Sequence, residues 1–293
     1  MVNSKGEILE RWIGYPGAEL WATYARAGVS DQRTLAQKKE AYDKRPTVAL
    51  ARSLGNDAAT VGEFRDAVTY FRKARELDPD MAGQYTSDIL LSMYYGLRGD
   101  AFNLDDVEVE VREALSSDAI GPGDKVEAVY LVSNMARMRG EPDRVIPYLE
   151  PALAASANST DEQVLETRRQ LEIEHALLVE KDANKAVRLK KEAMPEGWRD
   201  DPDELNDFAW WCFENDLDLA EAEQLALRGA ELAEDDGTRA NILDTAAEIG
   251  NARGDSDAAI ARIKQAIALN PDKQYFKDQL ERFEDARKEK QKG

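Results

Sequence analysis

One helical pattern occurs twice, near the two ends of the chain, and it constrains the fold more than any other feature. The run Gly62 to Pro79 superposes on the run Gly254 to Pro271. In both, a turn glycine is followed at the same intervals by an alanine (Ala67, Ala259), a bulky apolar residue (Phe71, Ile263), a second alanine (Ala74, Ala266) and a closing proline. Alanines two turns apart share one helix face, and their small size lets a neighbouring helix approach closely. The large residue between them fills the remaining gap, and the proline ends the helix because it lacks an N–H and clashes one turn back. A chain that opens and closes on this pattern is expected to stack helix on helix.

The small-large-small triplet recurs as Val107, Val111 and Ala114, as Val145, Leu149 and Ala152, as Ala186, Lys190 and Ala193, and as Ala222, Ala226 and Gly229. The pattern resembles the tetratricopeptide repeat, a pair of antiparallel helices. Leu54 and Gly55 fall where the family has the Leu-Gly of its first helix, and Gly62, Phe64, Ala67, Phe71, Ala74 and Pro79 follow at family spacing. Six pairs are expected over residues 46–272. First triplet members lie 40, 38, 41, 36 and 37 residues apart, against about 34 in the consensus repeat, so the middle pairs carry insertions. Gly99 to Asn103 is one such loop. Pro147 and Pro151 fall inside the second helix of the third pair, where an interior proline costs roughly 3 kcal/mol or more, so a kink or restart is expected at Pro147. Lys190 at a core position departs from the pattern. Lys273 to Lys290, with Tyr275, Leu280 and Phe283 on one face, reads as a capping helix.

The resemblance implies an all-α solenoid whose first helices line a groove for a protein or peptide partner. Carried onto this sequence, the groove positions are Arg52 and Asn56, Tyr130 and Asn134, Glu204, Asp207, Trp211 and Glu214, and Asp244, Glu248 and Asn251. Arg52 and Asn56 resemble half of the family's carboxylate clamp. Glu127 and Leu131 stand where its other half is basic, so an anionic ligand is not expected. Trp210 and Trp211 beside acids suit a basic or aromatic-bearing segment instead, with only one of the two rings facing the groove because adjacent helical residues diverge by about 100°.

The opening segment differs. Residues 1–45 hold 8 basic and 6 acidic side chains, whereas the whole chain holds 39 and 58, for a net charge of -19. After the turn signal Asn3-Ser4-Lys5-Gly6, Glu7 to Gly14 reads as a short strand, which alone must pair outside the chain or fray. With the helix expected from Glu19 to about Ala27, Val2 to Tyr15 resembles the last hairpin and closing helix of a thioredoxin-like domain. That resemblance implies residues 1–28 as a domain remnant, 29–45 as a connecting helix, 46–272 as the repeats and 273–293 as the cap. It also implies that the front of the first domain, with its Cys-x-x-Cys, lies upstream, so nothing catalytic carries over. Homo-oligomerisation through the unpaired strand is a further expectation.

Strong negative charge disfavours nucleic acid and anionic membranes as partners. No apolar run approaches the ~20 residues of a membrane span, and the first thirty residues lack a secretory leader, so the chain as written is expected in the cytoplasm. One cysteine, Cys212, and one histidine, His175, leave no disulfide framework, zinc cage or two-histidine mechanism within the chain. Both are expected to be ordinary packing or surface residues. No Gly-rich phosphate loop or Gly-x-Ser-x-Gly turn occurs. The expectation is a non-catalytic scaffold without cofactor or metal. The alternative is the adaptor part of a thioredoxin-like oxidoreductase.

Overall fold

In a computed structural model, residues 1–11 and 18–290 are described. Among them the regular structure is helical: α1 (Ala18–Ser30), α2 (Leu35–Lys44), α3 (Val48–Val61), α4 (Phe64–Leu77), α5 (Ala82–Leu97), α6 (Leu104–Ser116), α7 (Pro122–Met138), α8 (Ile146–Ala155), α9 (Glu162–Leu178), α10 (Ala183–Ala193), α11 (Pro202–Glu214), α12 (Leu219–Leu232), α13 (Asp236–Ala252), α14 (Ser256–Leu269) and α15 (Gln274–Lys290). Polar caps set many of the starts. Thr34 and Asn103 form reciprocal capping boxes with Gln37 and Asp106, and the side chains of Asp161, Asp201, Asp235 and Asp255 each accept first-turn N–H groups. Gly62 ends α3 in the left-handed region, at φ 83°, which a side chain would strain.

The chain forms two compact units, Met1–Glu180 and Lys181–Gly293. In the first, α3 packs on α4, α5 on α6, and α7 on α8 and α9. Its core runs through Ala67, Phe71 and Ala74, then Val107, Val111 and Ala114, then Val145, Leu149 and Ala152, so the triplets face inward as their spacing requires. In the second unit, α11 packs on α12, α13 on α14, and α15 lies against α14. Its core holds Ala222, Ala226, Ala259, Ile263 and Ala266, closed by Phe276 and Phe283 of α15.

Three local expectations resolve differently or more finely. The third pair's second helix restarts: a 3-10 turn over Pro142–Val145 leads into α8, and Pro147 sits in its first turn, where the missing N–H has no helical partner to lose. Pro151 remains inside α8. Lys190 is half-buried rather than in the core, with its ammonium over the Trp211 ring at 5.9 Å.

No β-strand is present among the described residues. Of the strand expected over Glu7 to Gly14, Trp12, Ile13 and Gly14 lie outside them, as does Tyr15 of the wider resemblance. Val2 pairs instead with Ile8 in a single antiparallel bridge, turned by Asn3, whose Oδ1 accepts from Lys5 and Glu7 at 2.9 and 3.0 Å. This hairpin docks on the helices behind it. The buried Lys38 ammonium of α2 donates to Glu10 at 2.6 Å, to the Leu9 carbonyl at 2.7 Å and to Ser53 of α3 at 3.2 Å. Arg11 pairs with Asp57 of α3 at 2.8 Å.

Candidate functional site

In the first unit, buried residues of α5 such as Ile89, Leu90, Met93 and Leu97 occupy the core side. Helical periodicity then leaves Gln84, Ser87, Asp88, Leu91 and Tyr95 on the opposite side. The corresponding free stripe of α7 holds Glu127, Tyr130, Leu131, Asn134 and Met138. The two stripes adjoin: Ser87 donates to Glu127 across the helices at 3.4 Å, and an added Cβ at Gly83 would strike the Asp124 carboxylate. Tyr130 is exposed and Asn134 half-buried on this face.

Arg52 and Asn56 lie half-buried on α3. Arg52 is near enough to Asp88 to favour its ionised form. Burial nevertheless pushes the Asp88 carboxyl up to about 6, and Glu127 adds repulsion, against the opposing effects of a Gln84 hydrogen bond and Arg52. Glu127 is itself raised by burial, opposed by the Ser87 bond.

The second unit treats its first-helix residues differently. On α11, Glu204 is half-buried beside its N-cap Asp201, while Asp207 and Glu214 are exposed. Trp211 is partly buried, 6.1 Å from the Phe208 ring and beneath Lys190; Trp210 turns away to Phe213 at 5.1 Å. On α13, Asp244 and Glu248 are buried. Glu248 accepts from Gln279 at 2.8 Å and pairs with Arg282, both from α15. Asp244 meets Tyr275 of the same helix. Burial pushes its carboxyl up to about 6, the Tyr275 hydrogen bond opposes this and Glu248 adds to it. Asp244 Oδ1, Asn251 Oδ1 and Asn206 Oδ1 are buried without a protein partner. Asp244 and Glu248 of α13 thus lie under α15, whereas Asp207 and Glu214 of α11 are exposed.

Sequence reasoning passed over Asp88, Leu91 and Tyr95. The signal was available in α5, where Asp88, Leu91 and Tyr95 recur at helical spacing on the side away from Ile89, Met93 and Leu97. Cys212 is fully buried, and burial, with Asp218 and Glu221 adding to it, pushes its thiol up to about 12, far from the thiolate a nucleophile requires. His175 lies 3.1 Å from Glu180 and 3.7 Å from Glu150. Among the described residues no group of His, Cys, Asp and Glu is arranged to hold a metal, and no helix is long and apolar enough to cross a membrane.

No protein-family model and no curated protein matches the chain. Among solved structures it is similar to YrrB, a TPR protein described as having an unusual peptide-binding site, at 15% identity and a TM-score of 0.38, over 82% of this chain and 95% of that one. Gly55 against Phe71, the buried triplets and the alternation of first and second helices rest on this chain's own packing. By that packing it is an all-α protein of tetratricopeptide-like helix pairs.

Proposed function

We propose that the chain is a non-catalytic interaction scaffold whose first helices present their free faces to a protein or peptide partner. The supporting observation is the contrast within α5 and α7. Each helix buries one side, yet on the other keeps a stripe of aromatic, aliphatic, amide and acidic side chains that the described residues leave exposed or only partly covered. Such stripes suit recognition, because a few large side chains supply most of the contact energy once water is excluded. The acids of α11, half-buried Glu204 and exposed Asp207 and Glu214, form the second face with Trp211 on this reading.

The test is capture from a lysate of the source organism, followed by calorimetry of any purified partner against the intact chain and two folded variants. These are Tyr130→Ala with Asn134→Ala, and Asp207→Asn with Glu214→Gln. A partner whose affinity falls by about 1 kcal/mol or more in either variant supports the scaffold reading. A partner bound equally by both, or no partner, counts against these faces.

A further inference from the structure

The glutamates of α6 and α9 that reach a neighbouring helix are met by arginine. Arg72 reaches Glu110 at 3.0 Å and Arg75 pairs with the same carboxylate, Arg144 meets Glu108 at 2.6 Å, and Arg137 meets Glu174 at 2.7 Å. Asp88 and Glu127 break this rule. Among the described residues neither carboxylate forms an ion pair; each accepts only from a neutral side chain, Gln84 at 3.3 Å and Ser87 at 3.4 Å. Both are raised, mainly by burial; at Asp88 Arg52 opposes the rise without cancelling it, and at Glu127 the neighbouring Asp124 adds to it. Further along the same two helices, Leu91, Tyr95, Tyr130 and Met138 are 36% to 52% exposed. Tyr95 is held in place by a stacked Phe64 ring at 6.2 Å and an edge contact from Tyr94 at 5.4 Å, so it stands as a rigid apolar platform.

From this geometry we infer that the free face of α5 and α7 docks a partner segment bearing a lysine or arginine flanked by apolar side chains. The cation pairs with Asp88 and Glu127, and its neighbours pack on Leu91, Tyr95, Tyr130 and Met138. This rests on the scaffold reading and adds to it the chemistry of the partner and the helices that read it. Charge complementarity selects the occupant. An acidic segment would face two like charges, and a purely apolar one would cover two carboxylates whose side-chain hydrogen bonds come only from neutral groups. The segment supplies to Asp88 and Glu127 what Arg72 and Arg75 supply to Glu110.

The probe is a displayed library of random peptides, selected against the intact chain, with the winners resynthesised and titrated by fluorescence anisotropy. The expected winners carry a lysine or arginine next to aromatic or aliphatic residues. Their affinity falls about tenfold in Asp88→Asn with Glu127→Gln, an isosteric pair that removes charge and keeps the packing, and in Tyr95→Ala. It does not change in Asp207→Asn with Glu214→Gln on α11. Circular dichroism confirms that each variant is folded. Acidic winners, or cationic winners that bind the charge-neutral variant as tightly as the native chain, overturn this inference while leaving the scaffold reading in place. Self-association abolished by the same substitutions overturns the choice of a foreign partner. Failure to select any peptide, together with failure to capture any protein, overturns both readings.

Discussion

The first and last helix pairs carry the same pattern and solve it with different residues. In α3 and α4, Gly55 faces Phe71, and an added Cβ on the glycine would lie 2.6 Å from a ring carbon. In α13 and α14 the same register places Ala247 and Ile263, both fully buried. A larger side chain on the second helix goes with a smaller one on the first, so the conserved quantity is the summed volume at the crossing. The polar positions of the two pairs differ more. Where α3 carries Arg52 and Asn56, α13 carries Asp244 and Glu248, buried beneath the side chains of α15. Apolar register thus fixes that two helices pair, and the polar residues fix what lies over them.

The largest test concerns buried charge. Glu110 on α6 is 0% exposed and held by Arg72 and Arg75 of the preceding pair, whereas Glu223 on α12 is held by Arg253 and Arg262 of the following one. Arg72→Ala with Arg75→Ala leaves Glu110 buried without a cation and is expected to cost about 3–5 kcal/mol in urea unfolding. Arg253→Ala with Arg262→Ala should cost a similar amount through Glu223. A loss below about 1 kcal/mol in either unit would show that water reaches that carboxylate, and the likeness between the units would fail.

A smaller effect separates the last pair from the first. Asp244 keeps its proton up to about pH 6 in the folded chain, against 3.8 for the free side chain. Between those values the folded state holds a proton that the unfolded chain has released. Stability through this group is therefore full below the lower value and is lost as pH rises through the upper one. Asp244→Asn removes the loss, so the variant should match the native chain near pH 3.5 and exceed it by up to about 3 kcal/mol near pH 7. Thermal unfolding at the two pH values measures the difference, and a pH-independent offset would mean that Asp244 ionises freely.

The smallest test returns to the crossing itself. Gly55→Ala should cost about 1–3 kcal/mol by crowding Phe71, and adding Phe71→Ile should recover much of it by recreating the combination found in α13 and α14. No recovery in urea unfolding would mean that the two crossings differ in backbone geometry as well as in volume.

These comparisons show what was legible before the structure. The pairs could be read from Gly62, Ala67, Phe71, Ala74 and Pro79 because turn, close contact and stop each demand a residue type at a fixed interval. The N-terminal segment could not. Its stability rests on Lys38 and Glu10, 28 positions apart, and nothing periodic marks a lysine as buried. Pro147 looked costly only because the 3-10 turn that restarts its helix leaves no apolar signature. At the candidate face, Tyr130 and Asn134 followed from family spacing, whereas Asp88 and Tyr95 belong to the pair whose loop insertion shifts the register.

The ion pairs that tie one helix pair to the next have a consequence for how such a chain changes length. Arg72 and Glu110 are 38 positions apart, Arg137 and Glu174 37, Arg262 and Glu223 39, and Arg282 and Glu248 34, each about one pair's span. A gene rearrangement that excised α5 and α6 would remove Glu110 and strand its arginines, and one that excised α13 and α14 would leave Glu223 sealed in without a counter-ion. The block that can be duplicated or lost without an orphaned charge is therefore a helix pair together with the cations of its neighbour. Such arrays should lengthen and shorten at the few joints that no arginine crosses.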